Sequence, residues 1–309
     1  MSQIRLRDLK LGKIDAKNEL LDSSPEELSF FENSFLMPET VTIEDFTNNN
    51  VFFVTGMKGT GKTALLRYLE LEIKKNSPHC TTDFILFKTD ITDEERNHFK
   101  SASNSFVAEK DSVDNREFTK YTGVWEWFFY RQILRISKEG AYPFFENDEH
   151  WKNFEECLNL PLESSDKGWF NKLGVKIKHG NVTVSAASPH LSATLGLDFE
   201  VNTVKQGISF SKLVNHTRLL FSKLTPTGYP LYLFIDELEV SMSNQKQYTR
   251  DMQLVRDLII VIENFNRNCV KRKMPLRLIA GIRTEVLSAV ETIGQEINKI
   301  ISDFGRPLN

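Results

Sequence analysis

The sequence predicts an α/β fold in which a mainly parallel central sheet is covered by helices on both faces. Three observations carry that expectation. Short apolar runs rich in branched and aromatic residues recur at 51–55, 84–88, 231–240 and 276–282, as in strands buried on both sides. Stretches with helical spacing lie between them. The first run also breaks at a glycine-rich turn and continues at once as a helix, the strand–turn–helix order of a parallel unit.

Taken in order, residues 1–45 read as a helical lead-in to a core at 46–309. SSPEEL at 23–28 is a helix start, with Ser23 or Ser24 as N-cap and Pro25 in the first turn. The strand at 51–55 leads to a helix at 62–75 with Leu65, Leu66, Leu69 and Ile73 on one face, and 84–88 is the second strand. A long α+β insertion at about 92–215 separates it from the third. That insertion holds a polar segment (TDEERNHFKSASNS), an aromatic helix at 124–136, and an alternating stretch at 175–187 whose HGN reads as a hairpin. A candidate strand at 193–201 and a helix at 210–224 complete it. The third strand, 231–240, is followed by a helix at 249–268, the fourth strand at 276–282 and a last amphipathic helix at 284–303. A five-stranded core needs one more strand after 303. The expectation is therefore that a further C-terminal region is absent from this chain, or that the strand is supplied otherwise.

Composition narrows the function classes. With 309 residues, 40% hydrophobic and 26% charged, the chain can bury one large core or two ordinary ones. A net charge of −3 gives no global attraction to nucleic acid. Cys80, Cys157 and Cys269 are widely separated without a C-x-x-C pair, which points to a reducing compartment and to no disulfide or zinc framework. The N-terminal segment is charged throughout, and no run approaches the roughly 18 apolar residues of a membrane span. A cytoplasmic protein without membrane contact is expected. The histidines are scattered without ligand spacing.

GMKGTGKT at 56–63 matches G-x-x-x-x-G-K-[ST]. Gly56, Gly59 and Gly61 let the backbone curl so that its N–H groups face phosphate, and the following helix adds its positive end. The nucleotide-binding set is Gly56, Met57, Lys58, Gly59, Thr60, Gly61, Lys62, Thr63 and Ala64. Lys62 would reach the β- and γ-phosphates of ATP, and the Thr63 hydroxyl would ligate Mg²⁺. The bland alternative, a glycine turn without ligand, does not require the strand before and the helix after.

LFIDELE places Asp236 at the carboxyl end of a strand, where ligands bind in open α/β sheets. An acid there can hold the Mg²⁺ hydration shell while Glu237 orients and deprotonates water. Solvated acids at an ordinary strand end are the alternative. A second adjacent acid favours attack by water, so hydrolysis is expected before kinase chemistry. RLIAGIRTEVL puts Arg283 and Thr284 at the same sheet edge. An arginine there can contact the γ-phosphate, or simply form a salt bridge; Thr284 reads equally as an N-cap.

Two further stretches have bland readings first. Trp125, Trp127, Phe128 and Phe129 on one helix read as core or subunit interface, not as a base-stacking platform. The basic cluster CVKRKMPLR at 269–277 reads as a solvated helix end, with nucleic-acid contact as the sharper alternative. No N-K-x-D guanine motif is present.

In this order the three motifs resemble the additional-strand, catalytic-glutamate division of P-loop ATPases, especially the AAA and STAND types. GMKGTGKT looks like Walker A, FIDE like Walker B, and GIRT like the arginine-bearing sensor strand of STAND ATPases. FENSFLMPETV and EINKIISDFG also resemble stretches of a group of bacterial P-loop ATPases, some of which belong to anti-phage defence systems. The likeness covers 30–90 and 228–309 and leaves the middle third unmatched. It implies an ATP hydrolase with ATP and Mg²⁺ as cofactors and Glu237, Lys62 and Arg283 as catalytic residues. Switching or remodelling in a homo-oligomer or with a partner protein is implied as well. In AAA-type rings an arginine near the place of Arg306 reaches the neighbouring subunit's nucleotide; a plain surface arginine is the alternative. A nucleotide-gated scaffold or sensor with little turnover stays open beside the ATPase.

Overall fold

The apolar runs become strands of one parallel sheet. The computed structural model describes residues 24–48, 50–108, 121–160, 177–178, 181–184, 189–195, 206–241, 244–293 and 297–308. Helices α1 (Pro25–Ser34) and α2 (Ile43–Thr47) precede β1 (Phe53–Gly56), α3 (Lys62–Asn76) and β2 (Thr81–Leu86). The chain then runs through α4 (Phe87–Asp90), α5 (Asp93–Ala108), α6 (Thr122–Glu139) and α7 (Glu149–Leu158). A small layer follows, made of β3 (Ile177–Lys178), β4 (Asn181–Val184), α8 (Pro189–Leu195) and β5 (Gln206–Ser209). After α9 (Phe210–Phe221) come β6 (Leu231–Leu238), α10 (Gln245–Lys271), β7 (Leu276–Arg283), α11 (Thr284–Glu291), α12 (Ile297–Phe304) and β8 (Gly305–Leu308).

The central sheet has the order β2–β6–β7–β1–β8, and every pairing is parallel. Side chains alternate between its faces, and two separate cores follow from that alternation. Phe53, Leu233, Ile235, Leu278, Ala280 and Ile282 join the large core shared with α6, α9 and α10. Val54, Tyr232, Phe234 and Ile279 join a second core with Leu65, Leu66, Leu69 and Ile73 of α3. Helices therefore cover both faces. Where β1 has not yet begun, α10 substitutes for it. Ala280 N–H donates to Phe52 C=O at 2.8 Å, but two residues earlier Leu278 has no strand on that side. The buried Asn266 amide fills the gap, accepting from Leu278 N–H and donating to Leu278 C=O, both at 2.8 Å.

The structure departs from the expectations in three places, and it makes a helix of a polar segment to which no element was assigned. The fifth strand lies within the chain: β8 pairs parallel with β1, Gly305 opposite Phe53 and Leu308 opposite Gly56. Its sequence GRPL lacks a strand signature, and a proline is tolerated there because β8 is an edge. The single helix expected at 284–303 is two, α11 and α12. Residues 193–195, expected to open a strand, close α8, whose first residue is Pro189, a favoured helix-start position; 196–201 lie outside the described residues. The polar segment at 92–105 is helical. Thr92 and Glu95 cap it reciprocally, with Thr92 N–H on Glu95 Oε2 at 2.9 Å and Glu95 N–H on Thr92 Oγ1 at 3.3 Å.

The other expected elements appear within a few residues of their bounds. Ser24 is the N-cap of α1, accepting from Glu27 N–H at 3.3 Å; Ser23 and the rest of the lead-in before it lie outside the described residues. Of the hairpin expected at 175–187, Ile177–Lys178 and Asn181–Val184 pair antiparallel as β3 and β4, with β5 added beside β4, and the remaining residues lie outside the described ones. The aromatic residues of α6 are core: Trp125, Trp127, Phe128 and Phe129 are buried, and Trp125 Nε1 donates to Leu254 C=O at 3.0 Å. Among the described residues no helix is long and apolar enough to cross a membrane.

Candidate active site

The carboxyl edge of the sheet brings the three motifs together. Gly56 ends β1 level with Arg283 on one side and Leu308 on the other. Because β7 lies between β1 and β6, the glycine loop and the acids of β6 must meet across an intervening strand. Gly281 on β7 makes that meeting possible. A Cβ there would stand 3.1 Å from Asp236 Oδ1 and 3.2 Å from Leu66 Cδ1, closer than ordinary contact.

Residues 56–61 form a tight loop. Gly59 and Gly61 have φ of 90° and 86°, the left-handed region that only glycine adopts freely. Thr60 folds back on Met57, its N–H and Oγ1 reaching Met57 C=O at 3.3 and 2.9 Å. Gly56 packs so closely that a Cβ would lie 2.5 Å from Thr60 Oγ1 and 2.8 Å from Leu308 C=O. Helix α3 starts at Lys62 with Gly61 as N-cap and no side-chain cap, unlike α1, α2, α7 and α10. Its first N–H groups and positive end therefore open toward the loop. Ala64 lies in that first turn, and Met57 is exposed. Lys58 N–H faces Glu285 Oε1 at 3.5 Å. The Lys62 ammonium curls into the loop and donates to Gly56 C=O at 2.8 Å and Met57 C=O at 2.6 Å. Burial, and then the nearby Arg283, push its pKa down, while Asp236 and Glu285 oppose the shift.

Across β7, the Thr63 hydroxyl donates to Asp236 Oδ2 at 2.6 Å. Asp236 is buried, and burial raises its pKa against the Thr63 bond and the Glu237 N–H that stabilise the carboxylate. Glu237 has φ of 57°, an unfavourable conformation for a residue with a side chain. It coincides with a skip in the β6–β7 register between Ile235 and Leu238. The strand is thereby kinked where the two acids sit, and the Thr89 hydroxyl just past β2 donates to Glu237 Oε2 at 2.7 Å. One residue beyond β6, Glu239 binds two cations, Arg283 Nη2 at 2.7 Å and Lys88 Nζ at 2.8 Å.

The residues of GMKGTGKT, the Asp236–Glu237 pair and Arg283–Thr284 thus lie at one edge of the sheet, and Arg306 does not join them. Arg306 sits on β8 and is tied to Asp45 at 3.1 Å within the same chain. Thr284 is the first residue of α11, with Arg283 at the N-cap position and no side-chain cap. Part of the 269–277 basic cluster is structural, since Arg272 donates to the Phe221 and Leu224 carbonyls at 3.0 and 2.9 Å. Thr89, Gly281, Glu239 and Glu285 were not singled out from the sequence. A lone glycine inside the strand IAGIR signals a close approach; for the other three the signal was only proximity to a strand end.

The chemistry open to this arrangement is anion binding beside hard-cation binding. The glycine loop, Lys62 and the start of α3 suit phosphate, and the Thr63–Asp236 oxygen pair suits Mg²⁺. Among the described residues no group of three or more His, Cys, Asp or Glu could hold a metal. A cation here would take its remaining ligands from phosphate and water. Comparison with family models, curated proteins and solved structures finds no match for the chain.

Proposed function

We propose that this chain is a P-loop ATPase that binds Mg·ATP and couples its binding and hydrolysis to conformational change or assembly. The observation that carries the reading is the Thr63–Asp236 bond of 2.6 Å between residues 173 positions apart. A helix-start hydroxyl and a strand-end carboxylate meet there beside a loop of left-handed glycines. A glycine turn without ligand gives no reason for that meeting. The strand order, with β7 inserted between the loop strand and the acid-bearing strand, supports the additional-strand division, and the segment between β2 and β6 is then the insertion.

In this reading the loop N–H groups and Lys62 hold the β- and γ-phosphates, and Thr63 with Asp236 holds Mg²⁺, which supplies charge neutralisation for the phosphates. Glu237 orients a water and takes its proton, and Thr89 holds the Glu237 carboxylate in place. Arg283 answers to the terminal phosphate. The resemblance of the motifs supports work in an oligomer or with a partner protein, in the cytoplasm, and a setting such as anti-phage defence.

The test is phosphate release from ATP by the full chain. Lys62→Ala should abolish binding or turnover, and Glu237→Gln should keep binding while reducing turnover by about 10²-fold or more. Parent-like turnover by Glu237→Gln would show that another group is the base. A nucleotide-gated sensor with little turnover is the second reading, favoured by the protein partners that hold Glu237 and Arg283. It predicts tight binding with negligible phosphate release and a nucleotide-dependent change in native mass.

A further inference from the structure

We propose that Glu239 is a displaceable counter-ion that holds Arg283 until a terminal phosphate replaces it, and so sets how strongly the site distinguishes a nucleoside triphosphate from a diphosphate. The inference rests on the nucleotide reading of the site. Its basis is a three-charge cluster. Each Glu239 carboxylate oxygen carries one cation, Oε1 the Arg283 guanidinium and Oε2 the Lys88 ammonium. The three side chains come from the three strand ends that border the crevice: Lys88 follows β2, Glu239 follows β6, and Arg283 is the last residue of β7.

Arg283 is level with Gly56, the first residue of the loop, so its guanidinium starts one strand away from where phosphate would sit. Carboxylate and phosphate are alternative partners for the same planar fork. Glu239 is therefore in competition with whatever anion the loop brings to that side, and only a triphosphate brings the terminal one. Lys88 modulates the contest. While it shares Glu239, it weakens the carboxylate's hold on Arg283; without it, Glu239 belongs to Arg283 alone. An ordinary surface ion pair has a small effect, and that effect does not depend on which nucleotide is bound.

The experiment measures dissociation constants of the full chain for fluorescent ADP and for a fluorescent, non-hydrolysable ATP analogue, both with Mg²⁺. Glu239→Gln should tighten the triphosphate analogue by roughly two- to ten-fold and leave ADP unchanged, the range expected for freeing one partly exposed arginine. Lys88→Gln should shift the triphosphate-to-diphosphate ratio the opposite way, and should leave it unshifted when Glu239→Gln is already present. In the Arg283→Ala background, Glu239→Gln should change neither constant. Equal tightening of both nucleotides by Glu239→Gln, or tightening that survives Arg283→Ala, overturns the counter-ion role alone. Failure of the parent chain to bind either nucleotide overturns the nucleotide reading and this proposal with it.

Discussion

Neutralising Asp236 should make the nucleotide-free protein more stable while removing the proposed Mg·nucleotide binding. Asp236 is only 4% exposed, so its carboxylate has lost nearly all its water. It regains the Thr63 hydroxyl at 2.6 Å and the Glu237 N–H, yet burial still dominates and its pKa is raised. Incompletely compensated polar burial costs about 1–3 kcal/mol in protein mutational data. Asp236→Asn keeps the shape and an acceptor for Thr63, so it should recover about 1–2 kcal/mol. At a few degrees per kcal/mol for a chain of this size, the melting temperature should rise by roughly 2–5 °C.

The pH dependence has a definite sign. A raised folded pKa means that the cost is absent below the ordinary aspartate range, where the group is protonated in both states. The cost grows as pH rises through that range and is complete above the folded pKa. Thermal melts of parent and Asp236→Asn in EDTA, from pH 4 to 8, should therefore diverge upward with pH. A variant less stable than the parent at pH 8, or a gap that does not widen with pH, would refute the reasoning. Mg·nucleotide titrations of the same samples should show binding lost.

Asn266→Leu leaves the buried Leu278 N–H and C=O without partners, at about 1–3 kcal/mol each, so urea unfolding should report a loss of about 2–4 kcal/mol. The exposed neighbour Asn264→Leu should stay within about 0.5 kcal/mol of the parent, and equal losses would sink the surrogate-strand account. At Glu237, the left-handed φ of 57° predicts that Glu237→Gly is more stable than Glu237→Ala by about 1 kcal/mol; the reverse order in matched urea titrations would show that the kink is not strained.

Much of this architecture was legible because its signals are local. The strands at 51–55, 231–240 and 276–282 are buried on both faces and carry continuous apolar runs, and the glycine loop announces its own backbone. What stayed hidden depends on partners distant in sequence. GRPL becomes a strand only because β1 offers it an edge. The break between α11 and α12 returns the chain to that edge, and its one sequence signal is Gly294, a lone glycine in an otherwise amphipathic run. Glu239 and Thr89 matter through cross-strand neighbours, which periodicity does not encode. Asp236 was readable as a strand-end acid, but its meeting with Thr63 depends on the missing side chain at Gly281.

The length of α10 has a mechanical consequence. Its 27 residues form a rod of about 40 Å. Its first turn begins six residues past Glu239, and just beyond its last turn Arg272 grips the carbonyls of Phe221 and Leu224 at the end of α9. A tilt of about 5° at the acid-bearing end would carry the far end through about 3.5 Å, given that rod length. That is more than the length of the hydrogen bonds holding it. Under the proposed nucleotide reading, a tilt set at the acid-bearing end would thus reach the segment between β2 and β6 as a displacement that it must follow or release.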